Sequence, residues 1–423
     1  MKTQPTLTPV SNNERIDVMD ILRGFALLGI LLVNMGVFSF PFVAAFTGTP
    51  RGTSPLDTAA NFAIQWLATG KFYPLFSFLF GLGMTLQMAR IAERGGKPGQ
   101  FMVKRLFWLM VFGLVHALLI WNGDILFIYA LTGFLFVLFR NTPPNTLRVW
   151  IVVLFAIPVV FSLAGVVSSL ALGGMSGANA SAGMAEFNTF MTDLQRRTIE
   201  TYSRGTWGEI FVWRAVEWLV SLIFAAFGTG LHVLALFLLG MYFGKRGYFT
   251  HLREHLPLFQ RGARMGLGIG LPANFLMALL AQTTGFNYTS PAASLWPVLL
   301  LVFGPVLTFG YISTFVLLTQ NERWRKRFAP LAAAGRMAFS NYIMQSIVCT
   351  FIFYSFGLGL FGQVGAFAGL LLSIAIWLVQ LPLSLLWQSR FRFGPLEWLW
   401  RTLTYGRAQP MTTSLTPSTE VSA

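Results

Sequence analysis

Long apolar runs alternate with short polar segments along almost the whole chain. Runs of about 20 residues match a helix crossing a hydrocarbon layer about 30 Å thick. They predict spans at 18–40, 72–89, 101–121, 125–139, 149–172, 265–281, 295–318, 332–356 and 366–387, with a bend at Pro158 in the fifth. The apolar run 210–243 is too long for one upright span, so it reads as an interfacial lead-in to about Val220 and then a further span to Phe243. Residues 41–71 lie outside the hydrocarbon, with the modest apolar stretch 59–67 at the interface. Period-two strands do not recur, which argues against an outer-membrane barrel. The expected fold is all-α, a polytopic membrane helix bundle of about ten transmembrane helices.

The organisation that follows is a disordered N-terminus (1–17), a membrane half of about five spans (18–172), a polar extracytoplasmic loop (173–209), a second membrane half of about five spans (210–388) and a tail (389–423). The first run carries Asp20 and Arg23 and is followed by Phe and Pro rather than small residues, so it reads as a retained span, not a cleaved signal.

Composition excludes a soluble domain. Only 11% of the 423 residues are charged and 55% are apolar, against roughly 25% charged in ordinary globular domains. The net charge of +15 does not point to nucleic acid, because the basic residues sit in short clusters between apolar runs. Such clusters record orientation. Six of the 30 Lys/Arg (Arg51, Lys71, Arg196, Arg197, Arg204 and Arg214) fall on one set of alternate segments, and the rest fall on the other. That asymmetry predicts a multi-pass protein with both termini in the cytoplasm. The single cysteine, Cys349, rules out an intramolecular disulfide and reads as a small buried hydrophobe. His251 and His255 stand four apart in a basic loop with no glutamate of the metalloprotease type, so no metal site is expected.

The candidate chemistry centres on the stretch from His116 through Trp121-Asn-Gly-Asp124 to Tyr129. Asn122-Gly123 is a turn signal. It joins two spans tightly and leaves a histidine and an aspartate near the outer surface. Ionisable groups there are costly, which makes them functional candidates. His116 suits a general base or proton relay. Asp124 suits an N-cap that also orients His116. In the first span Arg23 and Asn34 are eleven residues apart, so they share a face about 16 Å apart along the axis. Arg23 either snorkels to the cytoplasmic interface or receives phosphate as a bidentate donor. In the ninth span Arg336 lies near the cytoplasmic end, with Asn341 and Gln345 on one face as helix glue or cavity lining. Arg214 and Glu217 have the spacing of an ion pair. Gly394 to Arg401 reads as a short surface helix with Pro395 in its first position and the spacing of a Glu397–Arg401 pair. Gly81 and Gly83, set among phenylalanines, suit close helix packing. No phosphate loop, nucleophile elbow or dinucleotide fingerprint is present.

Four stretches carry a family resemblance: Asp20-Ile-Leu-Arg-Gly through Val-Asn34, His116 to Tyr129, Gly335-Arg-Met-Ala-Phe-Ser-Asn-Tyr-Ile-Met-Gln-Ser346, and Gly394 to Arg401. Together they resemble the YeiB-like family of bacterial inner-membrane proteins, a domain of unknown function (number 418). That family is distantly similar to transmembrane acyltransferases of the heparan-alpha-glucosaminide N-acetyltransferase type. Those enzymes carry an acyl group from cytoplasmic acyl-CoA to a hydroxyl or amine on the far side. Their first span has an arginine, ten residues, and then asparagine or histidine, a pattern that Arg23 and Asn34 match. Their catalytic histidine soon after the first span has no counterpart here before His116.

The resemblance implies a membrane-bound acyltransferase. Acyl-CoA would be its co-substrate, with no permanently bound cofactor. Its partners would be the bilayer and a small-molecule or glycan acceptor. His116 and Asp124 would be catalytic, and Arg23, Asn34, Arg336, Asn341 and Gln345 would bind substrate. The alternatives are a transporter for a small solute with a His/Asp proton relay, and a non-catalytic membrane partner.

Overall fold

A computed structural model describes residues 17–44, 49–173, 178–284 and 291–412. The expected disorder of the N-terminus falls, except for Asp17, outside the described residues. Sixteen α-helices follow one another among the described residues, and the only β-pairing there is a lone bridge, Phe391 with Thr412. In chain order they are α1 (Asp17–Ser39), α2 (Pro55–Leu67), α3 (Phe72–Glu93), α4 (Pro98–Val115), α5 (Leu126–Leu138), α6 (Pro144–Gly173), α7 (Ala178–Arg204) and α8 (Trp207–Phe227). Then come α9 (Thr229–Lys245), α10 (Leu256–Thr284), α11 (Pro291–Leu318), α12 (Glu322–Arg327), α13 (Ala329–Arg336), α14 (Ala338–Phe353), α15 (Ala366–Arg390) and α16 (Pro395–Tyr405). A single π-helical turn, His116–Ile120, extends α4.

Among the described residues, seven helical stretches are long and apolar enough to cross a membrane, and three shorter apolar helices (Leu126–Asn141, Thr229–Lys245, Ala338–Phe353) accompany them. Each span expected from the hydrophobic pattern falls on one of these. The outward faces suit hydrocarbon: Phe161 is 70% exposed and Leu138 69%. In water such a surface would drive association.

Local signals explain where helices start. Ser54 caps α2 by accepting from Asp57 N at 3.1 Å, with Pro55 in the first position. Pro98 and Pro395 do the same service for α4 and α16, and Gly406 at φ +69° ends α16. Acidic Asp17 and Asp20 lie in the first turn of α1, where the helix dipole favours them.

Helix α1 is the hub, packing on α3, α13, α14 and α15. Its contact with α13 is backbone to backbone. A Cβ on Gly24 would run into the Leu331 carbonyl, and one on Gly335 into the carbonyl of Asp20. Only glycine permits that approach, and it brings together the backbone stretches that carry Arg23 and Arg336. The pair α3 and α9 meets the same way, Gly81 against Phe237 and Gly240 against Phe78.

Two expectations need revision. The run 210–243 forms two helices, α8 and α9, broken at Gly228 (φ −121°, ψ −77°). They separate because their partners differ: α9 is buried against α3, α5 and α6, whereas α8 packs on the π-helical turn and α7. The expected single span 332–356 is likewise two helices meeting at Met337. The polar segment 173–209 contains the helix α7, which Arg196 and Arg197 tie internally to Asp193 and Glu200. Lys71 is also fully buried, donating to the carbonyls of Gln65 (2.8 Å) and Thr69 (2.6 Å) past the end of α2.

Candidate functional site

A cavity of about 400 Å³ opens between α1, α3, α4, α5, α13, α14 and α16. Arg23, Arg90, Arg94, Arg105, Arg336 and Arg401 line it, with Asp20 and Glu397 as the acidic members of the wall among the described residues. Arg23 comes from the second turn of α1, Arg90 and Arg94 from the end of α3 and the residue after it, Arg105 from α4, Arg336 from the end of α13 and Arg401 from α16. Asn34, Tyr73, Gly123, Ile125, Tyr129 and Tyr342 line the same cavity. Arg23 and Asn34, predicted to share a face, therefore share one chamber that runs the length of α1 between them.

The arginine end is built, not incidental. Arg23 Nη1 donates to Asp20 Oδ1 at 2.8 Å, and Asp20 is 2% exposed. Gly83 faces that guanidinium: a Cβ there would lie 3.2 Å from Arg23 Nη2. Arg336 Nε donates to Gln388 Oε1, and Gln388 in turn donates to the Ala333 carbonyl at 2.7 Å. Arg105 lies 3.6 Å over the Trp400 ring while Trp400 Nε1 donates to the Arg105 carbonyl at 2.9 Å. Those two contacts fasten α16 across the mouth. Glu397 adds a third fastening, accepting from the backbone N–H of Phe339 (2.7 Å) and Ser340 (3.1 Å) and from the Ser340 hydroxyl. A carboxylate at exposed helix N–H groups is a favourable cap, so the tail helix starts α14 and causes the break at Met337. Desolvation pushes the Glu397 carboxyl above its ordinary value, with its hydrogen bonds from Ser340 and Phe339 opposing.

At the other end lies the turn that joins α4 to α5. Trp121 N donates to the His116 carbonyl at 2.8 Å, which closes the π-helical turn. Asp124 Oδ1 accepts from Phe127 N at 2.7 Å and so caps α5. Its Oδ2 lies 2.8 Å from His116 Nδ1. Gly113 allows this closeness, since a Cβ there would strike Phe127 N. An ionised carboxylate only accepts. It therefore fixes the proton on Nδ1 and leaves Nε2 as the basic nitrogen. His116 is 1% exposed and its Nε2 has no hydrogen-bond partner among the described residues. The imidazole packs against the Tyr342 ring, centroids 5.2 Å apart. Tyr342 is part of the cavity wall and His116 is not. The histidine thus stands one ring behind the cavity.

The family model described as "Protein of unknown function (DUF418)" matches residues 243–407. Similarity to individual proteins extends further. The chain is 37% identical over 422 residues to the uncharacterized protein YxaH of Bacillus subtilis (strain 168), covering 96% of this chain and 98% of that one. It is 30% identical over 405 residues to the uncharacterized protein YeiB of Escherichia coli (strain K12), covering 94% and 98%. The chain belongs to the YeiB-like family. Its site draws on the matched segment and on the chain before it: Arg336, Tyr342 and Glu397 lie within it, Arg23, Asn34, His116 and Asp124 before it.

In this YeiB-like protein Asn341 and Gln345 lie behind the cavity wall. Asn341 donates to the Ala334 carbonyl and to Ser384, each at 3.0 Å, and Gln345 donates to Gln380 Oε1 at 2.8 Å. Both bind α14 to neighbouring helices. Arg214 and Glu217 do not form an ion pair. Glu217 Oε2 accepts from Asn122 (2.8 Å) and Tyr202 (2.6 Å), and Arg214 donates to the Leu118 carbonyl (3.1 Å).

The sequence pattern singles out neither Tyr342 nor Arg105, and it marks Gly83 for helix packing alone. Nor does it single out Tyr73, whose hydroxyl lies 2.8 Å from His232 Nδ1. Tyr342 sits inside a quoted family stretch beside Asn341, so the signal was present there. Tyr73 and His232 are 159 positions apart and meet only in the fold.

Proposed function

We propose that this YeiB-like protein is an inner-membrane acyltransferase that takes an acyl group from cytoplasmic acyl-CoA and passes it to a hydroxyl or amine on the other side. One observation carries the reading: a single cavity is lined by six arginines and also by Asn34 and by Tyr342, the ring against which His116 packs. Its volume lies in the usual range of about 300–1,000 Å³ for small-molecule sites. Arginines are the side chains best suited to phosphate oxygens, and their basic loops are those assigned to the cytoplasm by charge. The pantetheine arm then lies along α1 towards Asn34, whose amide hydrogen-bonds near the thioester.

His116 Nε2 takes the proton of the acceptor O–H or N–H. The freed electron pair attacks the thioester carbonyl, the C–O or C–N bond forms, and the C–S bond breaks. The proton returns from His116 to the departing CoA thiolate. Asp124 holds the imidazole in the tautomer this requires and stabilises its charged form. Tyr342 is the partition between donor and base, so its ring moves aside when both substrates are present.

The test is equilibrium binding of radiolabelled acetyl-CoA to the protein in nanodiscs, paired with single-turnover transfer. Binding that weakens in Arg23→Met and Arg336→Met, with transfer lost but binding kept in His116→Ala and His116→Asn, supports the reading. Absence of acetyl-CoA binding, or transfer undiminished without His116, overturns it. Proton-coupled solute uptake into proteoliposomes that is abolished by Asp124→Asn, without consumption of CoA thioester, would mark a transporter instead.

A further inference from the structure

Three buried side chains at or against the π-helical turn carry polar atoms without partners among the described residues. Arg214 of α8 is 0% exposed, and only its Nη1 has an acceptor, the Leu118 carbonyl at 3.1 Å. Its Nε and Nη2 have none among the described residues. Those two N–H groups share one edge of the guanidinium, the edge that grips a carboxylate or phosphate with two parallel bonds. Trp121 ends the turn at 1% exposure, and its Nε1–H is likewise without an acceptor. His116 begins the turn, with Nε2 unpartnered. The His116 and Trp121 rings lie 6.2 Å apart, and Leu118, which anchors Arg214, lies between them in the chain.

The carboxylate closest in sequence does not serve this edge. Glu217 is taken up by Asn122 and Tyr202. Asp124 is taken up by His116 and Phe127 N. The aromatic neighbour of Arg214 is Tyr354, 5.6 Å from Cζ to ring centroid. A buried guanidinium edge without an acceptor is strongly unfavourable. Three donors held against this turn therefore have no protein acceptor among the described residues, and one basic nitrogen of the same turn has no donor. Their complement is a molecule that offers anionic oxygens to Arg214 and Trp121 and an O–H or N–H to His116.

We infer that Arg214 and Trp121 form an oxyacid-anion subsite, and that the acyl acceptor is a hydroxyl or amine compound bearing a carboxylate or phosphate a few bonds away. The assignment of the reacting group rests on the acyl-transfer reading, whereas the anion subsite itself does not. Stacking of Trp121 on Phe38, centroids 4.0 Å apart, holds the indole in place. Glu217 is a positioning residue, fixing Asn122 of the same turn.

The experiment measures equilibrium binding of glycolate and of glycerol 3-phosphate to the full chain in neutral-lipid nanodiscs, with uncharged glycerol as control. Wild type is expected to prefer the anionic probes by at least about ten-fold. Arg214→Gln loses that preference, Arg214→Lys keeps part of it, and Trp121→Phe weakens it several-fold while preserving the stack on Phe38. Trp121→Phe carries the test if Arg214→Gln does not fold. Acetyl-CoA binding, measured on the same samples, stays within about two-fold in Trp121→Phe. Displacement of the probes by phosphatidylserine in the nanodisc identifies a lipid headgroup as the natural anion, and failure to displace identifies a soluble one. Equal binding of anionic and neutral probes by wild type, or a preference that survives Arg214→Gln, overturns the subsite. An intact anion preference without acetyl-CoA binding leaves the subsite standing and removes the acyl-transfer reading.

Discussion

His116 Nδ1 and Asp124 Oδ2 lie 2.8 Å apart, and both side chains are buried to within 1% of full enclosure. The pair spans a turn that Asp124 itself helps to form by capping α5. One carboxylate therefore has two separable tasks. Asp124→Asn keeps a good N-cap, so thermal stability should change by no more than about 1 kcal/mol. The amide has no anionic charge to stabilise imidazolium, so single-turnover transfer should fall by about 100-fold or more. Asp124→Ala should lose both. A variant pair in which stability and transfer fall together would show the aspartate to be a cap alone.

The glycines of α1 and α3 make opposite predictions from the same substitution. Alanine is favoured over glycine by about 1 kcal/mol in a helix interior. At Gly24 the new methyl meets the Leu331 carbonyl, so Gly24→Ala should lower stability, by about 1–3 kcal/mol as overpacking does. At Gly83 the methyl meets the far ends of two side chains, Arg23 Nη2 at 3.2 Å and Met19 Cε at 3.9 Å, and no backbone. Gly83→Ala should fold at least as well as wild type and weaken acetyl-CoA binding several-fold. Detergent melting curves and the binding assay separate the two.

Asn341 and Gln345 should behave as helix fasteners. Replacing Gln345 with Leu removes its bond to Gln380, and interhelical hydrogen bonds of this kind contribute about 0.6 kcal/mol and at most about 1.7. Acetyl-CoA affinity should stay unchanged while the melting temperature drops slightly. An affinity loss with unaltered melting would return these amides to the site.

Glu397 ties α16 to α14 with a carboxyl whose folded pKa is raised, by desolvation first, above an ordinary value of 4.5. The folded state therefore holds the proton more tightly than the unfolded state. Its stabilisation is complete below about pH 4.5 and is lost as pH rises through the raised folded value. Melting temperature should decline over that window more steeply in wild type than in Glu397→Gln. Parallel curves would mean that the carboxyl titrates alike in both states.

The hydrophobic pattern sufficed for the helices because spans of apolar residues are a local property, and Arg23, Asn34 and the His116–Asp124 turn were legible for the same reason. The breaks at Gly228 and Met337 were not. Each depends on which helices pack on either side, and at Met337 on a carboxylate 58 positions away from Phe339. The spacing of Arg214 to Glu217 predicts an ion pair. The actual partner of Arg214, the Leu118 carbonyl, is 96 residues distant, and Glu217 is drawn to Asn122 instead. The cavity itself was invisible for a plainer reason: it is the space that seven helices leave between them.

The most direct measurement of the central claim is a cryo-EM map of the protein in nanodiscs with a non-hydrolysable thioether analogue of acetyl-CoA. The account predicts density for the phosphates at Arg23 and Arg336, with the arm running along α1 past Asn34 and ending against Tyr342 within reach of His116. A cavity free of such density at saturating analogue, or an analogue bound anywhere outside that chamber, would contradict it.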